Sequence, residues 1–210
     1  MTISIIGAGN VGLALAGNLI SKGESVFFGV PEPAKYAATV AAFGAKAQLG
    51  AVAQAVAAGD LAILAVPYAA ARQVAESIGD WGGRILVDAT NPLAPALAGL
   101  ALGTTTSGAE QLAQWAHGAR VVKAFNTTGA ENMADPRYPG GAVFMPVAGD
   151  DADARSRVVA LAMRLGFDAA DVGPLSAARY LEPFAMTWIH MAYKCGMGRS
   201  FAFLRQQRRA

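Results

Sequence analysis

Gly7-Ala8-Gly9-Asn10-Val11-Gly12 spaces three glycines as G-x-G-x-x-G, directly after the apolar run Ile3-Ser4-Ile5-Ile6. Asn10 to Ser21 continues with Val11, Leu15 and Leu19 at helical spacing. A strand, a glycine turn and a helix in that order form a phosphate-binding unit. Gly7 permits the tight turn, Gly9 leaves room for a pyrophosphate where a Cβ would collide, and Gly12 lets the helix pack on the strand. Free N–H groups at the helix start and the positive end of its dipole favour the phosphates. A dinucleotide is therefore the expected ligand. Dinucleotide sites that prefer NAD carry an acid about twenty residues past the turn, on the ribose 2′-hydroxyl. Here Phe28-Gly29-Val30-Pro31-Glu32-Pro33 puts Gly29 at that place. Losing the carboxylate favours NADP over NAD, with NAD still possible. No arginine follows, and Lys35 is the nearest cation. Glu32 reads as a first-turn acid that could also reach a ribose.

The rest of the chain carries little acid–base equipment. No G-x-S-x-G, no Cys–His arrangement and no pair of carboxylates in one segment occurs. With His117, His190 and one cysteine, Cys195, no metal-ligand spacing and no internal disulfide can be assembled. No catalytic side chain is assigned. Hydride transfer between two flat rings fits this inventory, because it needs positioning and exclusion of water rather than a covalent catalyst.

The elements that must hold such a site alternate. Strands are expected at Ile3–Ile6, Ser25–Phe28, weakly Ala45–Gln48, Leu61–Val66, Arg84–Asp88 and Arg120–Phe125, with helices over 10–21, 32–43, 51–58, 68–78 and 110–115. Repeated β-α units with right-handed crossovers give a parallel sheet covered on both faces. After Asn126 the rhythm changes. Turns at Asp135-Pro136 and Tyr138 to Gly141 lead to a strand at 143–147, a helix at 151–165, an edge strand at 167–172, a long apolar helix at 176–195 and a short basic helix at 200–208. The expected fold is α/β, a Rossmann-type, doubly wound, mostly parallel sheet with a short helical C-terminal extension. Residues 1–149 are expected to form the dinucleotide-binding domain, with 150–210 a C-terminal strand-helix extension that would complete the site for the second ring and offer a dimer contact.

Composition narrows the partners. The 210 residues are 54% hydrophobic and 15% charged, which excludes disorder and allows one sizeable core. A net charge of +2 calls for neither nucleic acid nor a membrane surface, although Arg199, Arg205, Arg208 and Arg209 crowd the end. Met1-Thr2 run straight into the first strand without a basic leader, and the uncharged stretch 89–109 is broken by Pro92, Pro95, Gly99 and Gly103. A cytoplasmic protein is expected.

Four stretches, in order along nearly the whole chain, resemble the NADPH:deazaflavin oxidoreductases, which pass a hydride between NADP and coenzyme F-420. They are the turn at 7–12, Asp88-Ala89-Thr90-Asn91-Pro92-Leu93, Val121-Val122-Lys123-Ala124-Phe125-Asn126-Thr127, and Gly173-Pro174-Leu175-Ser176 with Gly196-Met197-Gly198. The same module is similar to the cytosolic domain of membrane ferric reductases. The resemblance implies a homodimer with a small-molecule acceptor, coenzyme F-420 or alternatively FMN or FAD. It implies a phosphate loop of Gly7, Ala8, Gly9, Asn10, Val11 and Gly12, and a ribose-phosphate site at Val30, Pro31 and Lys35. It puts the nicotinamide by Val66, Pro67 and Asn91, and the deazaflavin by Asn126 and Thr127 with Met197 and Gly198. The family's usual Ser-Arg pair after the second strand is Val30-Pro31 here.

Other residues have plainer readings. Lys123 sits in an apolar strand, so it pairs with Asp88 or lies at a rim. His117 before Gly118 reads as a helix end, and His190 as a core or interface histidine. Cys195 reads as a small buried hydrophobe, and Glu182 as a first-turn acid of its own helix. Leu181, Phe184, Trp188 and Met191 form a stripe for the core or a dimer seam. Two other functions compete with the oxidoreductase. A dehydrogenase of a small carbonyl or imine would usually add a longer helical domain, and a dinucleotide sensor would need no acid–base groups.

Overall fold

The structure, a computed structural model, describes residues 2–208; Arg209 of the basic terminus lies outside them, as does Met1. Strands β1 (Thr2–Ile6), β2 (Ser25–Gly29), β3 (Ala47–Gly50), β4 (Leu61–Leu64), β5 (Ile85–Asp88) and β6 (Arg120–Lys123) alternate with helices α1 (Asn10–Ser21), α2 (Ala37–Ala41), α3 (Val52–Ala58), α4 (Tyr68–Ser77) and α5 (Gly108–Trp115). There follow α6 (Ala130–Ala134), a hairpin of β7 (Arg137–Tyr138) and β8 (Gly141–Ala142), then β9 (Phe144–Gly149), α7 (Ala152–Arg164), β10 (Asp168–Asp171) and α8 (Ala178–Tyr193). The main sheet runs β10-β9-β6-β5-β4-β1-β2-β3. Its pairings are parallel except β6 with β9, so β9 and β10 form a parallel pair set antiparallel to the rest. This is the expected Rossmann-like α/β sheet. No helix among the described residues is long and apolar enough to cross a membrane.

Strand alternation builds a core on each face. Ile3 and Ile5 of β1, with Leu61 and Ile63 of β4, face Leu15 and Leu19 of α1 and Val158 and Leu161 of α7. Ile6, Ala62 and Leu64 face Val56 of α3, Val74 of α4 and Leu112 of α5. Burial on both faces explains why these strands read as continuous apolar runs. The strand order reverses between β1 and β4, because β2 and β3 extend one way and β5 and β6 the other. The crevice at that reversal, beyond the carboxyl ends of the strands, is where open α/β sheets take ligands.

Two segments depart from the sequence expectation. The stretch 32–43 is a 3-10 turn over Pro33–Tyr36 followed by the short α2, broken at Tyr36, whose φ of −110° and ψ of 1° leave helical geometry. The stretch 200–208 is not a helix but an extended strap. Its period is two. Phe201 stacks on Trp188 with ring centres 5.3 Å apart, and Phe203 stacks on Phe184 at 4.9 Å. A helix would turn those two rings to different sides. The amide N–H of Phe144 donates to the Phe203 carbonyl at 3.0 Å, and Arg205 grips Asp168 at 2.7 Å.

Candidate active site

The turn after β1 has the geometry its glycines suggest. Gly7 has φ +107°, and a Cβ there would lie 2.5 Å from the Ala65 carbonyl oxygen, so only glycine lets this turn lie against the end of β4. At Gly12 a Cβ would collide with the Gly7 carbonyl and reach Ile5 Cγ2 at 3.2 Å. Gly9 differs: its φ of −85° and ψ of −174° suit any residue, and a Cβ would meet no protein atom within 4 Å. The protein does not need glycine there for its own packing. Gly9 is the N-cap of α1, with no side-chain cap, and no acid stands in the first turn. The helix start thus keeps its unbonded N–H groups and its partial positive charge for an outside anion.

Two clefts flank this helix start. The larger, about 640 Å³, is walled by Gly7, Ala8 and Gly9, by Val30, Pro31 and Tyr36 after β2, and by Val66 and Pro67 after β4. Gln73, Val74 and Ser77 of α4 close its far side, and among the described residues no side chain lining it is charged. The smaller, about 240 Å³, is walled by Asn10 and Val11, Asn91 and Asn126, and Trp188, Ile189 and Tyr193 of α8, with Glu131 and Arg199 at its charged edge.

The residues after β2 explain the missing acid. A Cβ on Gly29 would lie 2.9 Å from Ala55 Cβ and 3.0 Å from Val52 Cα, so α3 occupies the room an Asp or Glu would need. Val30 is almost fully buried in the core, and its N–H donates to the Gly50 carbonyl at 3.1 Å. Lys35 does not line the cleft. Its ammonium donates to Glu32 Oε1 at 2.6 Å, with both side chains in solvent. Tyr36, which the sequence did not single out, takes the cleft position instead.

At the ends of β5 and β6 a pair of asparagines lock together. Asn126 Nδ2 donates to Asn91 Oδ1 at 2.9 Å, and Asn91 Nδ2 donates to the Asn126 carbonyl at 2.9 Å. Asn126 Nδ2 also donates to the Leu181 carbonyl at 3.3 Å, which fixes the orientation of the amide. Asn126 Oδ1 is buried with no hydrogen-bond partner among the described residues. Phe125 precedes it at φ +60°, an uncommon conformation for a bulky residue, and this backbone twist turns the chain off the sheet. Thr127 departs from expectation: it is buried, with its hydroxyl toward Met145 Sδ, and Thr128 lines the cleft in its place.

Beneath the asparagines lies a closed ionic cluster. Lys123 Nζ donates to Asp88 Oδ2 at 3.0 Å and to the Thr90 carbonyl at 2.7 Å, and it pairs with Glu182 Oε1 at 2.9 Å. Burial works against its charge, but the two carboxylates outweigh it and raise its pKa above the ordinary lysine value. Thr90 Oγ1 donates to Asp88 Oδ1 at 2.7 Å. Glu182 is not a first-turn acid for its own helix. Its carboxylate accepts from the N–H groups of Gly108 and Ala109, at 2.9 and 3.2 Å, and so caps α5. The cluster joins β5, β6, α5 and α8 and fixes the loop that carries Asn91.

Met197 and Gly198 do not reach the smaller cleft. Met197 is exposed, and Gly196 and Gly198, at φ +69° and +72°, serve a left-handed turn. What that turn delivers is Arg199, which lines the cleft. His190 and Cys195 are exposed rather than buried: α8 turns Ala178, Leu181, Glu182, Ala185, Trp188 and Ala192 inward, His190 lies on the opposite face, and Cys195 follows the helix end.

The coenzyme F420-dependent NADP oxidoreductase family matches residues 2–92. A candidate F420-dependent NADP reductase from Arthrobacter sp. FB24 is 32% identical, with a TM-score of 0.84, over 97% of this chain and 99% of that one. A hypothetical protein from Sinorhizobium meliloti is 34% identical, with a TM-score of 0.79, over 88% and 90%. Metalloreductase STEAP3 from Rattus norvegicus is 32% identical over 184 residues. That match takes in 86% of this chain but 35% of the metalloreductase, so the chain spans about a third of its length. With one relative matched over almost its whole length and the G-x-G-x-x-G turn at the sheet's reversal point, the chain belongs to the coenzyme F420-dependent NADP oxidoreductase family.

Proposed function

We propose that this NADP oxidoreductase passes a hydride between NADP(H) and a deazaflavin or flavin acceptor, with the dinucleotide along the helix start and the two rings meeting at the smaller cleft. The observation that carries the reading is the uncapped start of α1 between two clefts, with open space at Gly9. A pyrophosphate fits that cradle, since its charge supplies the cap the helix lacks. The larger cleft suits an adenosine, being apolar and within the ~300–1,000 Å³ usual for ligand sites. Asn126 Oδ1, a fixed buried acceptor, suits an amide or ring N–H.

When bound, the reduced nicotinamide supplies the hydride. The chain's own contribution is placement: Asn91 and Asn126 hold each other rigid, and Trp188, Ile189 and Leu93 exclude water from the ring site. No side chain needs to act as nucleophile. NADP is read as the preferred cofactor, with Lys35 released from Glu32 to meet a 2′-phosphate. Residues 1–149 act as the dinucleotide unit and 150–210 complete the acceptor site, since Trp188, Tyr193 and Arg199 come from the latter. The working form is read as a cytoplasmic homodimer, without a nucleic-acid or membrane partner; analytical ultracentrifugation tests the dimer.

The deciding experiment is steady-state oxidation of NADPH and NADH against F-420, FMN, FAD and a ferric chelate. Rapid turnover with F-420 or a flavin supports the reading. Turnover with the ferric chelate alone would move the chain toward direct metal reduction, and tight NADPH binding without turnover toward a sensor.

A further inference from the structure

Arg199 is the cation of the smaller cleft. Among the described residues lining either cleft, Glu131 and Arg199 carry the formal charges, and they pair at 2.7 Å. The Tyr193 side chain is a further partner of the guanidinium. Both members of the ion pair are partly open to solvent, at 47% and 38% exposure, so water or a ligand can compete for either.

Arg199 is not on a free tail. The left-handed turn at Gly198 brings the chain back onto α8, and Phe201 is then pinned. Its ring stacks on Trp188, and its carbonyl accepts from Trp188 Nε1 at 2.9 Å and from Asn132 Nδ2 at 2.8 Å. Phe203 and Arg205 extend the hold to Phe144 and Asp168. A guanidinium two residues from such a clamp has a defined place at the rim. The same Trp188 lines the cleft, so the wall of the ring site and the clamp of the strap share one side chain.

We propose that Arg199 is the acceptor site's anion anchor, which exchanges Glu131 for an ionised oxygen on the acceptor and so selects anionic flavin-type acceptors over neutral ones. This rests on the hydride-transfer reading above. A guanidinium matches carboxylate and phosphate oxygens in a planar fork, and both are anions that Glu131 imitates. Glu131 keeps the fork oriented when no acceptor is present, and the exchange costs little because an exposed ion pair is weak. The ligand class implied is a flat ring with a carboxylate or phosphate on its tail.

FMN and riboflavin provide the test, since they differ by one phosphate. The probes are FMN, F-420 and riboflavin with NADPH, on wild type, Arg199→Gln and Glu131→Gln. Arg199→Gln should raise the KM for FMN and F-420 about tenfold and leave riboflavin and NADPH within twofold. Glu131→Gln should lower the FMN KM. Equal changes for FMN and riboflavin, or a loss confined to the thermal midpoint, would show that the ion pair only ties the strap and would overturn the proposal. A shift in NADPH KM alone would assign Arg199 to the dinucleotide and overturn it too. Failure of the underlying reading looks different, because wild type would then reduce none of the three acceptors. In that case flavin fluorescence quenching compares FMN binding by wild type and Arg199→Gln, and equal or absent binding rejects the anchor.

Discussion

Gly9→Ala separates a glycine required by a ligand from one required by the fold. The added methyl meets nothing within 4 Å, and the backbone at φ −85° and ψ −174° accepts alanine. Stability should therefore hold or rise slightly, by up to about 0.4–1 kcal/mol, because alanine restricts the unfolded chain more than glycine does. Binding should fall, since the proposed function gives that open space to the pyrophosphate. Displacing one or two charge-assisted N–H bonds, at about 1.5–3 kcal/mol each, costs on the order of 3 kcal/mol, or roughly 150-fold in Kd. At NADPH concentrations about 100 times the wild-type Kd, binding adds about 2.7 kcal/mol to wild type but only about 0.3 kcal/mol to the variant. At about 2–4 °C per kcal/mol for a chain of this size, NADPH should raise the wild-type midpoint by about 5–10 °C and the variant's by about 1 °C. Scanning fluorimetry with calorimetric titration measures both quantities. Gly12→Ala is the contrast, since its methyl strikes the Gly7 carbonyl and should lower the midpoint without ligand. Gly9→Ala protein that binds NADPH within twofold of wild type would refute the phosphate-cradle argument.

Lys123→Met should cost about 3–5 kcal/mol in chemical denaturation, because it leaves Asp88 and Glu182 buried without their cation. The raised Lys123 pKa also sets a direction with pH: its stabilisation is complete below the ordinary lysine value of about 10.4 and is lost as pH rises through the higher folded value, so denaturation midpoints should be flat near neutrality and fall in alkali. Tyr68 acts in the same window, since burial, with Glu182 and Asp88, pushes its phenol up to about 12. The unfolded chain ionises first, and Tyr68→Phe should make the alkaline fall shallower in the same assay. Gly29→Asp should not convert the enzyme to NAD: the side chain meets Ala55 and Val52, and a loss of about 1–3 kcal/mol in stability should appear without a gain in NAD affinity. Lys35→Ala should weaken NADP about two- to fivefold and leave NAD unchanged, because the lysine is exposed and gives up an exposed pair; equal losses for both cofactors in titration would remove it from the site.

The sequence by itself determined whatever local pattern controls. Continuous apolar runs became the central strands because both sheet faces are covered, and G-x-G-x-x-G after the first of them marked the tight turn at the sheet's reversal point. Asp88 was one of two readings for Lys123, the other a place at the rim, and burial decided between them, since a buried ammonium needs a carboxylate. The absence of an acid at Gly29 was visible, but its cause, the packing of α3, was not. Glu182 shows the limit most clearly: its place near the start of α8 suggested its own helix, yet it caps α5, seventy-odd residues earlier in the chain. The strap was expected as a short basic helix, while Phe201 and Phe203 needed α8 as a partner before their period of two had meaning. Tertiary structure alone decided which of Met197, Gly198 and Arg199 reaches the cleft. A left-handed turn aims the third residue rather than the first two, and where it points depends on surfaces far away in sequence.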